Sequence, residues 1–214
     1  MAKIALLVGS TGLIGGQLLE LLLNDDRYSS VIAISRKPLS IINPKLTNVV
    51  CELRDLSDHG DQLKADDVFC CLGTTIKKAK SKEAFRAVDF DAPLLLTEIS
   101  KELGAKKFIL VSSLGANKNS GIFYNQVKGE VEEAIKQVGF DSIHILRPSL
   151  LLGARKEERT GEDTAKFFYK VFGFLAPKKY QAIESIKVAR AMLAFAQLES
   201  QGNFIHESIE LQTF

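Results

Sequence analysis

Apolar runs of strand length alternate along this chain with longer stretches in which apolar residues recur every three or four positions. That alternation predicts βαβ units and a parallel sheet. A strand covered on both faces reads as an unbroken apolar run, whereas a helix packed over it shows one apolar stripe. Strands are predicted at Ile4–Val8, Val31–Ser35, Asn48–Leu53, Asp67–Leu72, Lys107–Ser112 and Ser142–Leu146, the last closed by Arg147-Pro148. Helices are predicted at Leu13–Leu23 and at Tyr124–Val138, which Gly139 ends. Ser81–Leu103 also has a helical pattern, and Pro93 implies a bend or a fresh start inside it. After Gly153 the alternation stops. Residues 154–164 are highly charged and read as an exposed loop, the aromatic stretch Phe167–Phe174 reads as packing onto the body, and a last helix is predicted at Ile186–Leu198. The fold class is therefore α/β, a doubly wound parallel sheet with a small C-terminal capping region. Residues 1–214 form one domain on this reading, with 154–214 as its C-terminal extension.

Composition narrows the picture modestly. The chain has 214 residues, enough for one domain with a substantial core. A net charge of +2 does not imply a nucleic-acid or membrane partner, and no apolar run is long enough to cross a bilayer. The first apolar run breaks into glycine-rich turn chemistry where a signal peptide would continue, so a cytoplasmic protein is expected. Cys51, Cys70 and Cys71 are odd in number and lack CxxC spacing, which argues against a disulfide framework or a zinc site. The histidines (His59, His144 and His206) show no ligand spacing, and no metal is assigned.

The strongest chemical signal is Gly9-Ser10-Thr11-Gly12-Leu13-Ile14-Gly15, directly after a predicted strand and opening a predicted helix. A dinucleotide needs its pyrophosphate close to the backbone at a helix N-terminus, where unpaired N–H groups and the helix dipole favour negative charge. Glycines permit the tight turn, the close approach and the packing of helix on strand. This is the signature of a Rossmann fold. The second strand ends Ala33-Ile34-Ser35-Arg36-Lys37, without the carboxylate that would accept the ribose hydroxyls of NAD(H). Arg36 and Lys37 instead suit the additional phosphate of NADP(H), which is favoured over NAD(H).

Tyr124 and Lys128 lie four residues apart on a predicted helix and so project from one face. A neighbouring ammonium favours tyrosinate and eases proton transfer close to neutral pH. Ser112 and Ser113, ending the preceding strand, offer a hydroxyl to hold a substrate oxygen, and ligands of such sheets bind at the carboxyl ends of strands.

Together with the glycine turn, the strings Cys70-Cys71-Leu72-Gly73-Thr74-Thr75, Val111-Ser112-Ser113-Leu114-Gly115-Ala116, Tyr124–Glu132 and Arg147-Pro148 resemble the short-chain dehydrogenase/reductase superfamily. They resemble most its atypical branch that includes the Tat-interacting-protein oxidoreductases, over roughly residues 4 to 155. The resemblance implies a nicotinamide cofactor, Tyr124 as the group that gives or takes the proton, and Lys128 tuning it and holding the nicotinamide ribose. By position it implies Ser113 as the substrate-orienting hydroxyl and Ser112 as its structural neighbour. Thr74 and the backbone of Leu72 and Gly73 would flank the cofactor, and Arg147-Pro148-Ser149 would approach its nicotinamide end.

The expected activity is thus NADP(H)-dependent oxidoreduction of a carbonyl or alcohol in a small-molecule substrate. The sequence leaves room for a protein partner and for a monomer or homodimer. Two other readings stand beside it: a regulatory module that binds NADP(H) without turnover, and a nucleotide-sugar epimerase or dehydratase. The cluster Lys77, Lys78, Lys80 and Lys82 reads as a solvated segment or as a lip over an anionic group, and it lacks the interleaved aromatics of a nucleic-acid site.

Overall fold

We describe residues 2–153 and 180–214 of a computed structural model of the chain. The charged stretch 154–164 and the aromatic stretch 167–174 lie outside the described residues.

Seven parallel strands form the central sheet in the order β3-β2-β1-β4-β5-β6-β9. They are β1 (Lys3–Val8), β2 (Tyr28–Ser35), β3 (Leu46–Val50), β4 (Asp67–Cys70), β5 (Lys107–Val111), β6 (Ser142–Arg147) and β9 (Gly202–Glu207). A separate parallel pair, β7 (Leu151–Leu152) and β8 (Ile183–Glu184), lies beyond β6 in sequence. Each inner strand is buried on both faces. In β1, for example, Leu7 packs with Leu18 and Leu22 of α1 (Leu13–Leu23), while Leu6 belongs to the core on the opposite face. The α1 face is completed by α6 (Ser185–Ala196), through Val188 and Met192. The other face is covered by α4 (Ala92–Glu102) and α5 (Phe123–Gln137), through Leu96, Val131 and Ile135. Burying one such side chain contributes about 1.5–3 kcal/mol, so the two apolar layers hold the sheet between them.

Several predicted boundaries shift. β3 ends at Val50 because its register with β2, Val31↔Leu46 through Ser35↔Val50, runs out where β2 itself ends; residues Leu53–Leu63 then form 3-10 turns. β4 stops at Cys70, two residues early, and leaves Cys71 to Thr75 as a loop before α2 (Ile76–Ala79). The last long helix starts one residue earlier than expected and ends at Ala196. The alternation does not stop at Gly153, because β9 joins β6 with Ser142↔Gly202 through Arg147↔Glu207 and becomes the seventh strand. Its half-polar sequence, Gly-Asn-Phe-Ile-His-Glu, suits an edge position and lacks the unbroken apolar run that marks an inner strand. The short α7 (Ser208–Leu211) follows it.

The segment Ser81–Leu103 is a single helical path with a defect in the middle. α3 (Lys82–Arg86) runs into a π turn at Ala87–Asp91, closed by the Ala92 N–H bonding to the Ala87 carbonyl, and continues as α4. Pro93 explains the defect. In a regular α-helix its ring would collide with the carbonyl of residue 89, and a widened turn relieves that clash. Asp89 sits at the centre of this turn and is fully buried.

The sheet order places the topological switch between β1 and β4, whose carboxyl ends meet where the Cys71 N–H donates to the Val8 carbonyl at 2.9 Å. In open α/β sheets this crevice takes the ligand.

Candidate cofactor and catalytic site

The glycine turn leaves β1 at Gly9, in the left-handed region at φ 88°, and tightens through Gly12 N–H donating to the Gly9 carbonyl at 2.9 Å. A Cβ on Gly15 would stand 2.1 Å from the Gly9 carbonyl oxygen, so α1 can meet the turn this closely only with glycine there. Gly12 caps α1 without a side-chain hydrogen bond, and no acidic residue occupies its first turn. The helix therefore presents its amino-terminal N–H groups and positive dipole end to the crevice. The Ser10 hydroxyl is buried beside it without a partner, an unmet polar group where an anion would sit. The residues present fit a dinucleotide pyrophosphate.

At the end of β2 the backbone is pinned. The Ser35 hydroxyl donates to the Lys37 carbonyl at 2.7 Å and accepts from Asn48 Nδ2 at 2.9 Å, while Arg36 and Lys37 are exposed.

The catalytic candidates gather across the crevice. The aromatic rings of Phe123 and Tyr124, opening α5, pack on Phe85 with centroids 5.8 and 5.5 Å away. One turn further along α5, Lys128 is buried, and its Nζ lies 2.8 Å from Asp89 Oδ1. The other Asp89 oxygen accepts the Thr74 N–H at 2.8 Å. Burial alone would drive Lys128 toward its neutral form, but the Asp89 carboxylate and Tyr124 outweigh it and hold the amine above its ordinary pKa.

The two serines after β5 part company. Ser112 donates to the Glu132 carboxylate at 2.5 Å, and that carboxylate also receives Arg147 Nε at 3.1 Å. Arg147 reaches Glu207 of β9 as well, at 3.1 Å, so a partly buried network joins the end of β5 with α5, β6 and β9. The Ser113 hydroxyl is buried with no partner. Its loop is fixed by the Leu114 N–H on the Pro148 carbonyl and the Asn117 N–H on the Asn125 carbonyl, both at 2.9 Å.

The adjoining thiols are placed for packing. Burial pushes Cys70 up to about 11 and Cys71 well above its usual value, and Cys71 Sγ lies 3.7 Å from Met192 Sδ.

The structure thus brings Gly9–Gly15, Leu72–Thr74, Ser112–Ser113, Tyr124 and Lys128 to the carboxyl ends of β1, β4 and β5, with Arg36 and Lys37 at the end of β2. It engages the Arg147 side chain with two carboxylates. The lysine cluster divides: Lys77 and Lys78 belong to α2, Lys80 caps it in the left-handed region, and Lys82 lies 5.1 Å over the Phe123 ring. The sequence reading missed Asp89 and Glu132. Pro93, four residues after Asp89, was the available signal for the first. Glu132, on the face of α5 shared with Lys128, was the signal for the second.

Comparisons with known proteins bear on the family and the fold. Residues 9–198 match the family model described as NAD(P)H-binding. This chain belongs to that family. The protein HTATIP2 of Rattus norvegicus is 38% identical over 198 residues, covering 89% of this chain and 80% of the relative. The protein fmp52, mitochondrial, of Emericella nidulans is 35% identical over 182 residues, covering 81% and 77%. The resemblance to the short-chain dehydrogenase/reductase superfamily and its Tat-interacting-protein branch agrees with these relatives. Among solved structures, Bordetella bronchiseptica WbmH in complex with NAD+ superposes with a TM-score of 0.75 at 16% identity, covering 97% of this chain and 76% of that one. A UDP-N-acetylglucosamine 4-epimerase from Methanobrevibacter ruminantium gives 0.74 at 21% identity, covering 96% and 76%. At those identities the likeness is one of fold. Among the described residues, no helix is long and apolar enough to cross a membrane.

Proposed function

We propose that this NAD(P)H-binding domain is an NADP(H)-dependent oxidoreductase acting on a carbonyl or alcohol. The observation that carries the reading is the buried, unpartnered Ser113 hydroxyl in the same crevice as Tyr124 and the charged Lys128. When bound, the nicotinamide supplies or accepts a hydride. Ser113 donates to the substrate oxygen and steadies it, Tyr124 passes the proton to or from that oxygen, and Lys128 holds the nicotinamide ribose and favours proton transfer at Tyr124. Ser10 and the opening amides of α1 hold the pyrophosphate, while Leu72, Gly73 and Thr74 flank the dinucleotide. We assign Arg147 to the frame of the site, because Glu132 and Glu207 already engage its guanidinium. The chain works as one cofactor-binding domain, with 154–214 supplying the substrate side as well as completing the sheet and core through β9 and α6.

Preference for NADP(H) rests on Arg36 and Lys37, two exposed cations on a strand end without a carboxylate. Calorimetry of cofactor-stripped protein with NADPH and NADH, alongside Arg36→Ala, tests it. NADPH is expected to bind tighter, and the advantage to fall in the variant. Equal binding of the two cofactors would remove the assignment. The Tyr124→Phe variant tests the chemistry: turnover across a carbonyl panel is expected to drop while cofactor affinity stays. Fungal relatives named mitochondrial speak against carrying the cytoplasmic expectation across the family. Fractionation of a tagged chain decides the compartment here.

A further inference from the structure

The Tyr–Lys pair described above does not stand alone: a carboxylate reaches it from a different element. Asp89 is fully buried at the centre of the π turn, and its two oxygens do separate things. Oδ1 lies 2.8 Å from Lys128 Nζ and meets no other donor, while Oδ2 accepts the Thr74 N–H at 2.8 Å. Gly73 closes the arrangement from above: a Cβ there would stand 3.6 Å from Asp89 Oδ1 and 3.8 Å from Lys128 Nζ. One carboxylate therefore fixes both the ammonium on α5 and the loop that leaves β4.

We propose that Asp89 is the positioning residue of this site, a buried counter-ion that keeps Lys128 charged and aimed while locking the Gly73-Thr74 loop against it. The inference rests on the reading that Lys128 holds the nicotinamide ribose.

The physical case is one of alternatives. An ammonium with 5% of its side chain exposed has lost nearly all its hydration, and without a nearby anion it sheds its proton. The groups facing Lys128 are few. Cys70 comes from β4 and is held neutral by burial; Asp89 comes from the π turn; Tyr124 lies one turn back on α5. One turn onward, Glu132 is already paired with Arg147, and on the outer side of the helix Glu130 is paired with Arg86 at 2.5 Å. Asp89 is thus the carboxylate in this set left to balance the ammonium. A charged, fixed Lys128 keeps its remaining N–H donors for the ribose hydroxyls. A neutral amine would have fewer donors and no fixed direction.

The test follows NADPH affinity by calorimetry from pH 6 to pH 9 in the wild type, Asp89→Asn, Lys128→Met and the double variant. The ratio of Asp89→Asn to wild-type affinity is expected to fall roughly tenfold or more between those limits, as the unbalanced amine loses its proton. Lys128→Met and the double variant are expected to show no such change relative to wild type. A ratio that stays constant with pH in folded Asp89→Asn overturns the proposal and leaves the cofactor reading standing. So does a pH dependence that persists in the double variant. Absence of NADPH binding by the wild type removes both. Should Asp89→Asn fail to fold, adding Lys128→Met is expected to restore folding, because removing a buried pair together costs far less than stranding one member. Failure of that rescue, followed by circular dichroism, also overturns the proposal.

Discussion

Two buried polar regions of this protein differ in one respect. Along the β6–β9 edge, hydrogen bonds link Ser142 and Ser200 to His144 Nε2 at 3.1 and 3.3 Å, His144 Nδ1 to His206 Nε2 at 2.9 Å, and His206 Nδ1 to Glu210 at 2.9 Å. With both rings in a neutral tautomer, the chain has one consistent arrangement of protons. The Glu210 carboxylate only accepts, so His206 donates to it and accepts from His144, which accepts in turn from a serine. The rings of Phe195 and Phe204 stack on His144 with centroids 5.5 and 5.0 Å away. At the carboxyl ends of β1 and β5, by contrast, the buried hydroxyls of Ser10 and Ser113 have no partner. Folding satisfies the first region from within; it leaves the second without a protein partner, open to a ligand or an ordered water. Here the closed network belongs to the architecture, and the open hydroxyls of Ser10 and Ser113 lie in the crevice.

Substitutions should separate the two. His144→Ala empties a packed ring position and strands its neighbours, so it is expected to destabilise by about 3–4 kcal/mol. Chemical denaturation checks the loss, and NADPH affinity within about twofold of wild type at low temperature is the companion result; a large affinity loss in folded protein would break the contrast. Gly15→Ala drives a methyl into the Gly9 carbonyl 2.1 Å away, and displacement of the turn is expected to lower NADPH affinity roughly 100-fold, about 2.7 kcal/mol of binding. Retention of affinity would mean that the turn does not cradle phosphate.

The serine pair sharpens the comparison within two residues. Ser112→Ala removes a donor from buried Glu132 and is expected to cost about 1–2 kcal/mol of stability with cofactor affinity unchanged. Ser113→Ala should leave stability within about 0.5 kcal/mol, yet lower turnover roughly 100-fold for any carbonyl the enzyme reduces. Equal effects of the two on stability and turnover would erase the distinction.

Acid probes the first region again. Burial, then His206 and Lys107, push His144 down to about 4 from an ordinary 6.5. Between those values the unfolded chain binds a proton that the folded chain refuses. The contribution of this group to stability is therefore complete above pH 6.5 and declines as the pH falls toward 4. A melting temperature that drops over that window in wild type, and less steeply in His144→Gln, is the expected outcome. Parallel curves would show that another group governs acid stability.

How much of this was legible beforehand varied with the kind of signal. The inner strands announced themselves because burial on both faces demands apolar residues at successive positions, as in Ile4–Val8 and Lys107–Val111. The glycine turn was legible because backbone crowding allows no substitute at Gly15, and Tyr124 and Lys128 because helical spacing alone puts them on one face. The edge strand β9 was obscured by its alternating polar residues. Asp89 was not singled out, since Pro93 signals a break in the helix but not that a widened turn aims Asp89 inward.

The sequence by itself determined the class of fold, the glycine turn and the pair of side chains on α5, because each follows from contacts within a few residues or from the period of one element. Only the tertiary structure decided which serine is engaged by Glu132 and which is left open, that His144 and His206 meet across 62 positions, and that Asp89 faces Lys128. Those outcomes depend on strand register, on the packing of α4 beside α5 and on a helix defect. All three are set by the whole chain at once, through burial and the pairing of polar groups in the interior.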